Sequence, residues 1–329
     1  MRRLLTVFLL FIVAAAAADP APALRIDRGR ITVSGVSSGG HMAHQLHVAY
    51  SDLFSGAAIM AGGPFGCAQG SMATAFARCI RSSGGGLPPG EFIEEIRKAA
   101  GQGLLADPRQ LSDDRVWLFH GALDKTVAED LSVTLQDVYR AFMPADSIAY
   151  VSDVPAAHNF PTLGAGHACD ASESPFLGKC GYDAAGTLLA YLYPGLATPR
   201  DAPAMPLREV ELPGAGDDGM QDKAFLYIPA RCADGREDCA LHLVLHGCAQ
   251  SSAQLGTVFI EQAGYLRWAE ANGIVLAFPQ VAPSAANPLA CWDWWGYTGA
   301  DYRWRNGPQM RRIAGWVRQL AGIGDVRSP

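Results

Sequence analysis

The sequence predicts one α/β domain built on a mainly parallel sheet. Two observations lead there: short apolar or β-branched runs alternate with segments of helical period, and a Gly-x-Ser-x-Gly turn joins one such run to one such segment. Residues 30–34, 56–61, 116–120 and 148–151 read as strands of the first half, with helices at 40–50, 90–101, 129–142 and 182–193. The second half repeats the texture, with strands at 224–228, 241–245 and 274–278 and helices at 255–272 and 308–320. Such alternation is βαβ, and βαβ units imply parallel strands. Residues 194–206, rich in Pro and Ala, read as a linker between the halves 19–193 and 207–329, yet neither half looks complete alone.

The chain opens on Met1-Arg2-Arg3 and an apolar run over 4–18 that ends in Ala16-Ala17-Ala18 before Asp19. A basic start, a short apolar stretch and a small-residue cleavage site are the parts of a secretory signal, so residues 1–18 are expected to be removed. The run falls short of the roughly 20 residues of a membrane-spanning helix, and no later run is long enough. The mature chain, 19–329, is therefore expected to have no stable membrane insertion and to work in the periplasm or outside the cell. With 26 Lys+Arg against 32 Asp+Glu, and no concentrated basic run, nucleic acid is an unexpected partner. All 8 cysteines follow the signal, which suits disulfides in an oxidising compartment. None is spaced as C-x-x-C, which argues against a structural metal. They sit in loosely spaced pairs; about 105 connectivities are open, and the expected one is Cys67–Cys79, Cys169–Cys180, Cys232–Cys239 and Cys248–Cys291.

Gly35-Val36-Ser37-Ser38-Gly39 follows a strand-like run and precedes a helix-like one, the setting of a nucleophile elbow. The glycines keep a tight turn free of side chains so that the hydroxyl of Ser37 projects at the strand end. A serine hydroxyl needs a base, itself oriented by a carboxylate, and in this fold class the chain order is Ser, acid, His. The run 116–120 leads into a loop carrying Asp124, at the carboxyl edge of the sheet. Asp113 and Asp114 precede that strand, at the wrong edge, and Asp130 opens a helix, where an acidic residue suits the dipole. After the next strand comes Ala156-Ala157-His158-Asn159-Phe160-Pro161-Thr162, where the base is expected; His158 is favoured over His167 by position. His41, His44 and His47 read as surface or packing residues, and His120 as a strand-end residue with a local hydrogen bond.

An oxyanion hole takes one N–H from the residue after the nucleophile, Ser38, and another from a loop after a different strand. Between Asp19 and Ser37 there is no room for the strands that ordinarily come first. The second half supplies the part: Leu241-His242-Leu243-Val244-Leu245-His246-Gly247-Cys248 is an apolar strand entering a His-Gly loop. A circularly permuted α/β-hydrolase fold follows, with 194–206 joining the ancestral ends.

These motifs, together with Cys291-Trp292-Asp293-Trp294-Trp295 and His246-Gly247-Cys248-Ala249-Gln250-Ser251, resemble the polyhydroxybutyrate depolymerase family of esterases, in its permuted single-domain form. The resemblance implies Ser37, Asp124 and His158 as the triad and the amides of Ser38 and Cys248 as the oxyanion hole. It implies a serine carboxylic-ester hydrolase of poly(3-hydroxybutyrate) or its oligomers, without metal or organic cofactor. Trp292, Trp294 and Trp295 are candidates for the substrate-binding surface, with core packing expected to claim at least one. A Cys248–Cys291 bridge would hold the oxyanion loop against this tryptophan segment. No Thr-rich linker or separate adsorbing domain is visible, which favours soluble esters or oligomers over solid polymer. Other secreted carboxylesterases and a non-catalytic polymer-binding scaffold are the competing readings.

Overall fold

The computed structural model describes residues 24–81, 86–199, 202–214 and 216–324. The expected signal, 1–18, lies outside the described residues, as do positions 200 and 201 of the expected linker. Strand β1 (Ile26–Val36) enters helix α1 (Ser38–Ala49), followed by β2 (Gly56–Met60), α2 (Met72–Arg78), α3 (Pro89–Gly101), β3 (Arg115–Phe119), α4 (Glu129–Arg140) and β4 (Ile148–Val151). The short strands β5 (Phe160–Thr162), β6 (His167–Ala168) and β7 (Leu177–Lys179) form a small sheet of their own before α5 (Ala184–Leu192). The second half contributes β8 (Arg208–Glu211), β9 (Lys223–Tyr227), β10 (Cys239–Leu245), α6 (Ser252–Leu255), α7 (Val258–Gln262), α8 (Tyr265–Asn272), β11 (Ile274–Phe278) and α9 (Pro308–Leu320).

Both halves build one sheet, in the order β4-β3-β2-β1-β10-β11-β9-β8. From β4 to β11 every neighbouring pair is parallel, and β9 and β8 close the far edge antiparallel. The seam between the halves is therefore in the middle, where Val33 pairs with Leu243 and Gly35 with Leu245. Every residue of β2 and β10 is buried, which is why these strands read as unbroken apolar runs rather than alternating ones.

Successive side chains of each strand enter opposite layers. On β3, Val116 and Leu118 pack in one core with Met42, Leu46, Phe92, Leu135, Ile313 and Trp316, from α1, α3, α4 and α9. Trp117 and Phe119 face the other, with Leu188, Leu189, Phe259 and Ala269 from α5, α7 and α8. Polar side chains interrupt this second layer at the seam: Thr32 and Ser34 of β1 meet the ring nitrogens of His242 on β10 at 2.6 and 2.8 Å, and Ser34 meets the Tyr265 hydroxyl at 2.9 Å. Each buried polar atom of the group thereby has a partner, which removes most of the cost of desolvating it.

The expected helix 255–272 is instead broken into α6, α7 and α8. Gly256 and Gly264, at φ 60° and 98°, take the backbone out of the helical region, so an amphipathic pattern spanning them could not be one rod. Helix α2, the small sheet and β8 had no expected counterpart. The cysteines pair as Cys67–Cys79, Cys169–Cys180, Cys232–Cys239 and Cys248–Cys291. The last closes 43 residues, and loop closure of that length stabilises by about 4 kcal/mol.

Burial lowers the pKa of His41, His44 and His242 to about 3 and that of His246 to about 4. The unfolded chain takes up protons near the ordinary 6.5, whereas the folded chain does not, so unfolding binds protons between those limits. Stability is thus full above pH 6.5 and declines as pH falls towards 3, each such histidine contributing about 1.4 kcal/mol per pH unit. Calorimetry across pH 8 to 4 should show the melting temperature flat at the top of that range and falling progressively below about 6.5.

Candidate active site

Ser37 caps α1 with φ 57° and ψ −119°, a conformation that a residue with a Cβ rarely adopts. Its amide donates to the Met60 carbonyl at 2.9 Å, which ties the turn to β2. Glycine is forced on both sides by close approach. A Cβ on Gly35 would sit 2.0 Å from the Gly39 carbonyl oxygen, and one on Gly39 would sit 2.4 and 2.5 Å from those of Leu245 and His246. The second glycine therefore does more than sharpen the turn: it lets the end of β10 lie directly against it. The loop beyond β10 consequently reaches the serine, a Cβ built on Gly247 lying 3.5 Å from that of Ser37.

Asp124 and His158, the expected acid and base, arrive from loops after β3 and β4. Asp124 closes a turn with its amide on the Gly121 carbonyl, and Leu123 donates to the Ala156 carbonyl at 3.0 Å, joining the two loops. Gly121 permits this, since a Cβ there would lie 2.3 Å from the Ala156 oxygen. His158 Nδ1 lies 2.7 Å from Asp124 Oδ2, and the Ser37 hydroxyl lies 2.9 Å from His158 Nε2. Asp124 is held from its other oxygen by the amides of Thr126 and Val127, at 2.8 and 3.0 Å. Its side chain is 1% exposed and that of His158 12%. Burial works to raise the Asp124 pKa, but the His158 hydrogen bond and charge and the two amides outweigh it, so the carboxyl titrates below its ordinary value. A carboxylate kept ionised beside Nδ1 fixes the tautomer that leaves Nε2 free to accept the serine proton.

Among the described residues, the amides of Ser38, in the first turn of α1, and Cys248 donate to no backbone carbonyl. The loop that carries the second is fixed from several sides. The Gln250 amide oxygen accepts from Gly247 N at 2.8 Å while its nitrogen donates to the carbonyls of Pro175 and Phe176. The Cys248–Cys291 bridge ties it to the tryptophan segment, and Asn287 pins Cys291 through both its N–H and its carbonyl. Gln250 lies in the motif at 246–251, and its spacing of three from Gly247 is the one sequence feature that points to this contact.

Ser37, Ser38, His158 and Cys248 open into a cleft of about 480 Å³. Its walls include Trp294 and Trp295, with Val127, Ala75, Met72, Phe76 and Leu289. The last three are large apolar side chains left 46%, 58% and 53% exposed. Trp292 is a correction: it does not line the cleft but is fully buried, its Nε1 donating to the His246 carbonyl at 3.0 Å. The indole is used to anchor the loop from behind, and the backbone from Asp293 on swings the next two indoles to the cleft.

The other candidates lie apart from this relay. His167 is half-exposed and hydrogen-bonded to the Ser174 carbonyl. Asp114 pairs with His47 at 3.0 Å, Asp113 is exposed, and Asp130 accepts the Gly86 amide. His41, His44 and His47 are all buried, so none is a surface residue, and His41 borders the cleft. His120 lies 3.4 Å from the Ser132 hydroxyl. Among the described residues no group of three or more His, Cys, Asp or Glu is arranged to hold a metal ion.

A strained serine at the carboxyl end of a central parallel strand, with base and acid delivered by loops further along the same edge, places the chain among the serine hydrolases of the α/β-hydrolase fold. No family model matches the sequence. Among known proteins, a polyhydroxybutyrate depolymerase of Talaromyces funiculosus is 34% identical over 92% of this chain and 93% of its own. A poly(3-hydroxybutyrate) depolymerase of Delftia acidovorans is 39% identical over 94% of this chain, which spans 63% of that relative's length. Among solved structures, a serine-to-alanine variant of a PHB depolymerase complexed with an R3HB trimer superposes with a TM-score of 0.86 at 32% identity, covering 93% of this chain and 99% of the other. The PHB depolymerase of Penicillium funiculosum superposes equally well, at 33% identity over the same shares. The chain belongs to the polyhydroxybutyrate depolymerase family.

Two substitutions test the geometry. Asp124→Asn keeps the shape but allows the wrong imidazole tautomer, and steady-state kinetics on a short-chain p-nitrophenyl ester should show kcat reduced about 10⁴-fold. Gln250→Ala frees the Gly247 amide and loosens the oxyanion loop, and the same assay should give a fall in kcat of roughly 10²-fold with KM little changed.

Proposed function

We propose that this esterase is exported and hydrolyses poly(3-hydroxybutyrate) or its oligomers, with Ser37 as nucleophile, His158 as general base and Asp124 as its orienting carboxylate. The observation that carries the reading is the unbroken relay from Asp124 through His158 to Ser37, opening into an apolar cleft in a chain whose relatives are depolymerases. His158 Nε2 takes the hydroxyl proton as Ser37 Oγ bonds to the ester carbonyl carbon, and the carbonyl oxygen becomes an anion held by the amides of Ser38 and Cys248. Collapse breaks the bond to the alcohol oxygen, which leaves with the proton from His158. Water, deprotonated by the same imidazole, then attacks the acyl-enzyme and releases the acid.

Trp294, Trp295, Met72, Phe76 and Leu289 give the apolar backbone of a hydroxyalkanoate chain a surface to lie on. Export accords with the expected signal at 1–18 and with four disulfides, which persist in oxidising compartments. No described helix is long and apolar enough to cross a membrane. A sheet in which the elbow strand comes first and the His-Gly loop comes from the second half supports the circularly permuted reading of the fold.

The test is to incubate the purified protein with amorphous poly(3-hydroxybutyrate) and with short 3-hydroxybutyrate oligomers and to identify the products by chromatography. Release of 3-hydroxybutyrate or its short oligomers is expected. Ser37→Ala should lower it by at least about 10⁴-fold with an unchanged melting curve, and near-normal turnover by that folded variant would sink the assignment.

A further inference from the structure

His41 differs from every other histidine among the described residues. His44 faces the Gly63 carbonyl, His47 engages Tyr139 and Asp114, and His242 bridges Thr32 and Ser34. His246 meets the Gly247 carbonyl and the Val281 amide, His120 meets Ser132, His167 meets Ser174, and His158 sits in the relay. His41 is only 5% exposed and its ring makes no hydrogen bond to another described residue, but its nitrogens are not among the fully enclosed unpartnered atoms, which include His44 Nε2; they lie at the accessible part of the ring. A buried polar group left unpaired is costly unless something else supplies the partner. What remains of its surface borders the cleft.

The ring is also fixed in place. The Trp294 indole stacks on one face, with centroids 4.2 Å apart and planes 12° from parallel. Gly63 backs it as well: a Cβ there would lie 2.8 Å from the imidazole Cε1, so only glycine leaves room. The indole covers one face and Gly63 closes the Cε1 edge between the nitrogens, of which one carries hydrogen and the other a lone pair. Burial and the neighbouring His158 lower its pKa to about 3, so it keeps both a donor and an acceptor at any neutral pH. It lies one helical turn beyond Ser37, on the same face of α1, and both residues line the cleft.

Among the described side chains that share the cleft, Ser38 Oγ, Asn159 Oδ1 and Trp294 Nε1 are enclosed without a partner and are the groups that compete with His41. Gln250 and Asn287 spend their amides on the backbone, as described above, Asn159 donates to the carbonyls of Cys169 and Ala171, and Ser172 donates to the carbonyl of His158.

We propose that His41 is a specificity-determining residue whose imidazole edge hydrogen-bonds an oxygen carried by the acyl unit, so that the cleft selects hydroxyacyl esters over alkanoyl esters of the same length. The proposal rests on Ser37 being the nucleophile and the cleft its acyl site. A site built to pair with a substrate oxygen discriminates against an analogue lacking it, because its own polar group is then left unpaired.

The test compares kcat/KM for p-nitrophenyl 3-hydroxybutyrate and p-nitrophenyl butyrate, identical but for the hydroxyl, in the full-length protein, His41→Phe and His41→Gln. Phe keeps the stack on Trp294 and removes the hydrogen bond; Gln keeps donor and acceptor. The ratio of the two specificity constants is expected to fall about tenfold in the Phe variant and to recover, at least in part, in the Gln variant. A purely structural role lowers both constants together and leaves the ratio where it was; that outcome, or a Gln variant indistinguishable from Phe, overturns the proposal. Failure of the unsubstituted protein to release hydroxybutyrate from oligomers strikes the polymer reading alone, since the ratio is measured on activated esters.

Discussion

The site depends on a single backbone contact, that of Gly39 against the carbonyls that end β10. Because no side chain stands between them, the elbow of the first half and the oxyanion loop of the second meet at the seam of one sheet. A methyl group at that point would push β10 and the loop beyond it away from Ser37. The buried bonds from Thr32 and Ser34 to His242 hold the same seam from within, so the register that aligns strands also aligns chemistry. Glycine, β pairing and buried polar groups here serve one geometric end.

Strain and preorganisation follow from it. The positive φ of Ser37 is maintained by the Met60 carbonyl below and by the packed glycines around it, which over-determine the turn. On the other wall, Gln250, Asn287, Trp292 and the Cys248–Cys291 bridge fix the amide of Cys248 by contacts that do not touch the substrate. Dipoles held in place before reaction need no reorganisation as charge appears, and such groups account for much of the rate advantage of acyl-transfer enzymes.

How much of this was legible in the sequence depends on whether the signal was local. The strands, the elbow and the chain order Ser37, Asp124, His158 could be read because each rests on a contiguous pattern, and the His246-Gly247-Cys248 loop was legible as an apolar strand running into a His-Gly turn. The helix expected over 255–272 failed because an amphipathic period continues through Gly256 and Gly264, and only their backbone angles reveal the breaks. Trp292, Trp294 and Trp295 could not be sorted by alternation, since irregular backbone around Asp293 obeys no period. His41 read as a surface or packing residue, and it is buried; what the sequence could not show is that, among the described residues, its ring makes no hydrogen bond and borders the cleft. Residues whose roles come from contacts across the seam, Gln250 above all, have no periodic signature.

The pairing of the loops after β3 and β4 has a mechanical consequence. Ala122 and Leu123 donate to the carbonyls of Val154 and Ala156, so Asp124 and His158 ride on one rigid body, while Ser37 rides on another formed by β1 and α1. Thermal loosening of the sheet edge therefore acts on the distance between His158 and Ser37 and leaves the distance between His158 and Asp124 nearly constant. The imidazole remains oriented by Asp124 while it drifts. The relay is thus split into a prepaired Asp124–His158 unit and a separate serine, with β2 as the strand that joins them.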